Sequence, residues 1–73
     1  MISIYGKDGC ASCNVAQEMC KNVESQYLKL GKEYQLADFI KVSGGKHKSF
    51  PMIAVDGEYL GGIQELKEYL NKK

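Results

Sequence analysis

The residues of this chain with the clearest chemical potential are Cys10 and Cys13, which enclose only Ala11 and Ser12. They follow a short apolar stretch that starts at Ile2, and they stand at the beginning of a helical pattern. Two thiols at this spacing, between a strand and a helix of a short chain, are typical of a dithiol that cycles between reduced and disulfide states. The pair therefore predicts thiol–disulfide chemistry.

The expected helix gives the two thiols different tasks. Cys10 falls at the predicted helix N-terminus, where unpaired backbone N–H groups and the helix dipole favour a thiolate. Lys7 precedes it in the same loop and adds positive charge nearby. Cys13 lies one turn inside the helix and is more sheltered. We therefore expect Cys10 to be the nucleophile and Cys13 to be the resolving thiol.

A zinc site is the alternative use of these cysteines. A structural zinc ion takes four ligands, and beyond Cys10 and Cys13 the candidates are Cys20 and His47. We favour the redox interpretation and expect no metal bound by this chain alone. His47 is expected to be a surface residue. Cys20 shares an apolar helical stripe with Ala16 and is expected to be a small core residue.

Composition limits the class of protein. The 73 residues are enough for one small domain, which we assign to 1–73. A net charge of +1 gives no electrostatic reason to expect nucleic acid or a membrane surface as a partner. No apolar run approaches the ~20 residues of a transmembrane helix, and Met1 leads directly into a strand pattern rather than a signal peptide. Three cysteines do not suit a secreted disulfide scaffold. We expect a cytoplasmic monomer.

Apolar periodicity predicts one α/β domain of the order β-α-β-(short α)-β-β-α, with helices covering a mixed sheet. Its clearest element is a hairpin in which Asp56-Gly57 joins two strands. A short helix capped by Asp38 is expected to end at Gly44-Gly45. The remaining predicted elements are a strand over 2–5, a helix from Ala11 to about Leu30, a strand over 34–37, and a helix from Gly61-Gly62 to Asn71.

This order and these residues resemble the glutaredoxin branch of the thioredoxin fold from Ile2 to Leu70. The segments that carry the resemblance are Tyr5-Gly6-Lys7-Asp8-Gly9-Cys10-Ala11-Ser12-Cys13, Phe50-Pro51-Met52-Ile53 and Gly57-Glu58-Tyr59-Leu60-Gly61-Gly62. The last ten residues of the match look most like the short phage-type glutaredoxins. The resemblance implies a four-stranded mixed sheet with helices on both faces. It also implies a cis peptide bond before Pro51, opposite the thiols.

The same resemblance implies glutathione as the reductant. A cis bond at Pro51 would turn the Phe50 backbone outward, so that its N–H and C=O pair with the central cysteine of the tripeptide. Two groups of residues complement the two carboxylates of glutathione. Lys7, with Lys46 or Lys48, is expected at the glycyl end. The backbone N–H groups of Gly62, Ile63 and Gln64, with the Gln64 side chain, are expected to bind the γ-glutamyl carboxylate.

The expected function is therefore that of a glutathione-linked dithiol–disulfide oxidoreductase acting on protein disulfides and glutathione mixed disulfides, with ribonucleotide reductase as a client. Two alternatives remain open. One is a glutaredoxin-like carrier reduced by thioredoxin reductase. The other is a dimer that binds a [2Fe–2S] cluster, since Ala11 stands where the family usually has proline. Ile63-Gln64 likewise replaces an acidic residue that the family often has soon after the glycine pair.

Overall fold

The computed structural model describes residues 1–47 and 49–72, which form a four-stranded sheet and three helices. The strands lie in the order β2-β1-β3-β4, with β1 parallel to β2 and antiparallel to β3, and β3 antiparallel to β4. This is the predicted mixed α/β sheet. The elements are β1 (Ile2–Gly6), α1 (Ala11–Met19), β2 (Ser25–Lys29), α2 (Leu36–Ser43), β3 (Met52–Val55), β4 (Glu58–Gly61) and α3 (Ile63–Asn71).

Alternation along the central strands separates the core into two clusters, one on each face of the sheet. The first cluster, called here the aliphatic face, lies between the sheet and the helices α1 and α3. Its buried members are Ile2, Ile4, Ala16, Cys20, Ile53 and Leu66. The second cluster, called here the aromatic face, is covered by α2. Its buried members are Tyr34, Phe39 and Met52, with Tyr5, Phe50 and Tyr59 packed against them. Helices therefore cover both faces, as predicted.

The first helix is much shorter than the sequence pattern predicted. It ends at Met19, with Cys20 as its C-cap, and β2 begins at Ser25 within the span predicted to be helical. Backbone bonds of the turn type join Lys21 N–H to the Glu18 carbonyl and Val23 N–H to that of Cys20. The expectation of a helix reaching Leu30 was wrong, whereas the core position of Cys20 is confirmed, since it is 1% exposed.

The second predicted strand, over 34–37, is also wrong. Tyr34 makes only an isolated bridge with Leu30, and Leu36 already begins α2. The expectation that Asp38 caps this helix was wrong in position: Gln35 is the N-cap, and Asp38 lies in the first turn, where its carboxylate accepts a hydrogen bond from the Gln35 N–H at 3.0 Å. Gly44 ends the helix in the left-handed conformation, as predicted.

The C-terminal half follows the prediction closely. Asp56-Gly57 connects β3 to β4 with both residues at positive φ, as a two-residue hairpin turn requires. The helix α3 then runs from Ile63 to Asn71, with Leu66 fully buried. Within the described ranges, no helix has the length and apolar character needed to cross a membrane.

Candidate active site

Three chain segments meet at the end of the sheet where β1 and β4 finish and β3 begins, called here the site edge. Tyr5 pairs with Met52, so the loop that leaves β1 lies beside the segment that enters β3. Ile53 pairs with Gly61, which brings the end of β4 to the same edge. The topology therefore places the cysteine loop, Pro51 and the start of α3 close together, although they are far apart in the sequence.

Cys10 and Cys13 form a disulfide with their Cα atoms 5.3 Å apart. Cys10 is the N-cap of α1, and the Cys13 N–H donates to its Sγ atom at 3.2 Å. Cys10 is half-buried, whereas Cys13 is 0% exposed. An attacking reagent therefore meets Cys10 first, and the amide that contacts Cys10 Sγ is placed to stabilise a thiolate there.

The sulfur of Cys13 lies against the backbone of Gly6. A Cβ atom added to Gly6 would lie 2.9 Å from Cys13 Sγ and 2.6 Å from the hydroxyl oxygen of Tyr27, both closer than real Cβ contacts allow. The Tyr27 hydroxyl also donates to the Lys7 carbonyl at 3.4 Å. The absence of a side chain at Gly6 is therefore what lets the buried sulfur and the Tyr27 ring pack against β1.

The Gly6 carbonyl is held from the aromatic face. It accepts one hydrogen bond from the Tyr34 hydroxyl at 2.9 Å and another from the Leu30 N–H at 2.8 Å. Burial raises the pKa of Tyr34 to about 12, with smaller contributions from Tyr27 and Tyr5. Tyr34 therefore stays neutral and remains a hydrogen-bond donor over the whole physiological range.

The loop between β1 and α1 is tied down by two charged side chains. Asp8 forms an ion pair with Lys29 of β2 at 2.8 Å, and the hydrogen bond to Asp8 raises the pKa of Lys29. Lys7 places its Nζ atom 5.0 Å from the centre of the Phe50 ring, within the range of a cation–π contact. Of the predicted glutathione-binding residues, the structure thus brings Lys7 and Phe50 together.

The Phe50–Pro51 peptide bond is cis, as the family resemblance implied. Pro51 is buried at the beginning of β3, and the Phe50 ring packs on Phe39 with centroids 4.8 Å apart. Lys46 is exposed in the loop before this bond. Lys48, the third predicted lysine, lies outside the described residues.

His47 is not the free surface residue that the sequence suggested. Its ring is half-buried and bonds the Tyr59 hydroxyl through Nδ1 at 2.9 Å and the Pro51 carbonyl through Nε2 at 3.1 Å. The expectation failed because it treated the basic run as a solvated loop. Pro51 lies four residues after His47, but this spacing is no known signal for a side chain bonded to a proline carbonyl, and Tyr59 lies twelve residues away on β4.

The start of α3 carries an acidic group that sequence reasoning missed. The Glu65 carboxylate accepts a hydrogen bond from the Gly62 N–H at 2.8 Å, and this bond is the main cause of its lowered pKa. Gly62 is thus not an unoccupied donor, while Ile63 packs on the aliphatic face and Gln64 is exposed. The spacing of Glu65 three residues after the N-cap is that of a capping box and could have revealed it.

This arrangement supports dithiol–disulfide exchange. An accessible sulfur at a helix N-terminus is joined to a buried sulfur one turn later, and the cis Phe50–Pro51 bond lies at the same end of the sheet. Among the residues that the structure describes, no group of three or more His, Cys, Asp or Glu side chains is placed to hold a metal ion.

Comparisons with known sequences find no match: no family model fits the chain, and no curated protein matches it. Solved structures do match. Reduced Escherichia coli glutaredoxin superposes with a TM-score of 0.82 at 21% identity, over 99% of this chain and 94% of the other. Glutaredoxin 1 from Francisella tularensis, complexed with cacodylate, gives a TM-score of 0.73 at 26% identity, over 97% and 92%. A crystal structure of a thioredoxin-like protein gives 0.70 at 24% identity, over 99% and 97%.

These superpositions cover almost the whole length of each chain, including the site edge. The chain therefore has the thioredoxin fold, in the arrangement seen in glutaredoxin structures.

Proposed function

We propose that this protein is a glutathione-linked dithiol–disulfide oxidoreductase, which reduces protein disulfides and glutathione mixed disulfides in the cytoplasm. The observation that carries the proposal is the half-buried Cys10 at the N-cap of α1, bonded to the fully buried Cys13. External reagents can therefore reach the sulfur of Cys10, whereas only Cys10 can reach the sulfur of Cys13.

In the proposed cycle the Cys10 thiolate attacks one sulfur of a substrate disulfide, and the other substrate sulfur leaves as a thiolate. The Cys13 thiol then loses its proton and attacks Cys10 Sγ. This step releases the second substrate thiol and forms the Cys10–Cys13 disulfide. Two glutathione molecules reduce that disulfide and leave as glutathione disulfide, so the two electrons delivered to the substrate come from glutathione.

The proposed glutathione site follows the site edge. Lys7, with Lys46 or Lys48, meets the glycyl carboxylate, and the Phe50 backbone pairs with the central cysteine. The backbone N–H groups of Ile63 and Gln64 meet the γ-glutamyl carboxylate, and Gly62, whose own N–H is bonded to Glu65, lines the same end of the site. Glu65 adds a negative charge there, which suits the ammonium group of the γ-glutamyl residue and supplies the acidic group that Ile63-Gln64 lacks.

Thiol variants test the division of labour. Cys10→Ser is expected to abolish all exchange activity, whereas Cys13→Ser is expected to remove glutathione from a mixed disulfide but not to reduce protein disulfides. In the reduced wild type, Cys10 is expected to react with iodoacetamide at pH values well below the ~8.5 of a free cysteine. Equal alkylation rates at Cys10 and Cys13 would contradict the assignment.

The electron donor is tested by reducing the oxidised protein in two ways, with glutathione plus glutathione reductase or with thioredoxin reductase, and following NADPH consumption. The proposal requires turnover with glutathione, and turnover with thioredoxin reductase alone would replace it by the carrier alternative. Ribonucleotide reductase is the client to try first. Anaerobic reconstitution followed by visible absorption tests the [2Fe–2S] alternative, which a coloured dimer would favour.

A further inference from the structure

His47 connects the cis-Pro51 segment to the far side of the site edge. One ring nitrogen, Nε2, lies 3.1 Å from the Pro51 carbonyl oxygen, and the other, Nδ1, lies 2.9 Å from the Tyr59 hydroxyl oxygen. Pro51 begins β3 and Tyr59 lies in the middle of β4. A single imidazole ring therefore joins a residue next to Phe50 with the strand that leads to Gly62.

The chemistry of the partners fixes the direction of these bonds. A carbonyl oxygen only accepts, so Nε2 carries the hydrogen and donates it to Pro51. In the neutral ring Nδ1 then has a lone pair and accepts the hydrogen of the Tyr59 hydroxyl. The result is an ordered relay of donors that runs from Tyr59 through His47 to the Pro51 carbonyl.

Ring packing holds the imidazole in this position. The Phe39 and Tyr59 rings lie 5.9 Å and 5.6 Å from it, measured between centroids. A Cβ atom built on Gly62 would lie 3.3 Å from His47 Cε1, so the ring also reaches the backbone at the start of α3. His47 thus contacts both parts of the proposed glutathione site, the 50–51 segment and the glycine pair.

We propose that His47 is a positioning residue that sets the spacing between the Phe50 and Gly62 backbones, and thereby the affinity for glutathione-containing substrates. This inference rests on the proposed function and deepens it. A tripeptide that pairs with Phe50 and extends to Gly62 must find both segments at the right separation, and small displacements of a binding group weaken binding sharply. His47 does not touch the cysteines in this account and acts only through Pro51 and Tyr59.

The inference predicts a change in KM without a change in thiol reactivity. His47→Phe keeps an aromatic ring but removes both hydrogen bonds, and is expected to raise KM for a glutathionyl peptide about 5-fold, the worth of roughly one hydrogen bond. The kcat and the rate of Cys10 alkylation by iodoacetamide are expected to stay unchanged. His47→Gln, which keeps a donor for the Pro51 carbonyl, is expected to recover part of the loss.

Tyr59→Phe and a packing control complete the experiment. Tyr59→Phe removes one bond of the relay and is expected to raise KM about 2-fold, and the double variant with His47→Phe is expected to be no worse than His47→Phe alone. Val42→Ala loosens the same aromatic face without touching the relay. Its KM is expected to match that of the wild type.

Three results would overturn the inference. The first is a wild-type KM in folded His47→Phe, and the second is an equal rise in KM in Val42→Ala, which would make packing the cause. The third is a ¹⁵N spectrum of the wild type at pH 9 in which the His47 ring carries its hydrogen on Nδ1. Failure of the proposed function is distinguishable, because the wild type would then alkylate rapidly at Cys10 and still not turn over the glutathionyl peptide.

Discussion

The two faces of the sheet are built from different chemistry and serve the site edge in different ways. The aliphatic face buries hydrocarbon and one thiol, Cys20, between the sheet and two helices, and its partly buried Tyr27 reaches the Lys7 carbonyl with a 3.4 Å hydrogen bond. The aromatic face buries rings, and two of its polar groups bond the backbone at the site edge: the Tyr34 hydroxyl bonds the Gly6 carbonyl, and His47 bonds that of Pro51. We therefore expect the aliphatic face to supply most of the stability and the shorter hydrogen bonds from the aromatic side to fix where the reacting segments lie.

The largest expected effect is a loss of stability caused by a change in the aliphatic face. Leu66 is 0% exposed in the aliphatic face, and Leu66→Ala is expected to lower the free energy of unfolding by about 2–5 kcal/mol through lost burial and the cavity left behind. The specific activity of the folded fraction is expected to remain close to wild type. Urea unfolding and turnover, measured on the same samples, check both parts.

Leu36 supplies the matched control for Leu66, because it is a leucine that is 54% exposed on α2. Leu36→Ala is expected to change stability by less than about 0.5 kcal/mol. A loss of activity in folded Leu66→Ala would contradict the separation of roles between the two faces.

Cys20 gives a smaller effect on the same face. Cys20→Ala is expected to cost about 1 kcal/mol of stability and to leave the redox activity nearly intact, since Cys20 is buried at the opposite end of α1 from Cys10. Cys20→Ser is expected to cost somewhat more, because it buries a hydroxyl group. Loss of activity in a folded Cys20→Ala protein would show that the third thiol has a role that the comparison misses.

Tyr34→Phe tests whether the aromatic face positions the backbone at the site edge. It removes the hydroxyl that bonds the Gly6 carbonyl and is expected to cost about 1 kcal/mol of stability. Because Gly6 also lies against Cys13 Sγ, turnover of a protein disulfide is expected to fall further than in Cys20→Ala. Steady-state rates of the two variants, compared at equal folded fraction, measure the difference. Equal rates would show that the aromatic face contributes packing and does not position the site.

The smallest expected effect near neutrality is that of pH on the free energy of unfolding. At alkaline pH the two faces lose stability over different pH ranges. Burial raises the pKa of Cys20 above its ordinary value and that of Tyr34 to about 12. Each group is buried in its neutral form. The stability it contributes is therefore fully present below its pKa in the unfolded chain and is lost as the pH rises through its pKa in the folded protein. For Tyr34 the loss falls between about pH 10 and pH 12.

Unfolding of the oxidised protein between pH 8 and pH 12 measures this dependence. Tyr34→Phe is expected to flatten the upper part of the curve, and Cys20→Ala the part that begins near pH 9. A curve for Tyr34→Phe that parallels the wild type above pH 10 would contradict the assignment.

The elements that could be predicted from the sequence are those whose ends are marked by turn, glycine or cysteine residues close by in the chain. Asp56-Gly57 marks the hairpin, Gly61-Gly62 marks the start of α3, and the spacing of Cys10 and Cys13 marks the start of α1. The segment between Cys20 and Leu36 has no comparable marker at the end of α1. Apolar residues at Val23 and Tyr27 continue the helical spacing by coincidence, although Val23 is 38% exposed and Tyr27 pairs with Ile4 in the sheet.

The candidate site was predictable to the same extent. The roles assigned to the cysteines came from the helix N-terminus, and the cis bond at Pro51 came from the family resemblance. The contact of His47 with Tyr59 depends on the pairing of β3 with β4, and its contact with Pro51 depends on how the loop before the cis bond turns back, neither of which a sequence pattern encodes. Glu65 could have been recognised from its capping-box position.

The close approach at Gly6 has a consequence for how this sequence can vary. Gly44 has a left-handed backbone that favours glycine, but nothing lies within 4 Å of an added Cβ, so asparagine is an acceptable replacement there. Gly6 is restricted by space instead, because Cys13 Sγ and the Tyr27 ring occupy the volume of any side chain. In a saturation mutagenesis library selected for activity, position 44 would tolerate a narrow set of residues and position 6 none. Among sequence variants of this domain, a change at position 6 would therefore signal a different arrangement around the second sulfur.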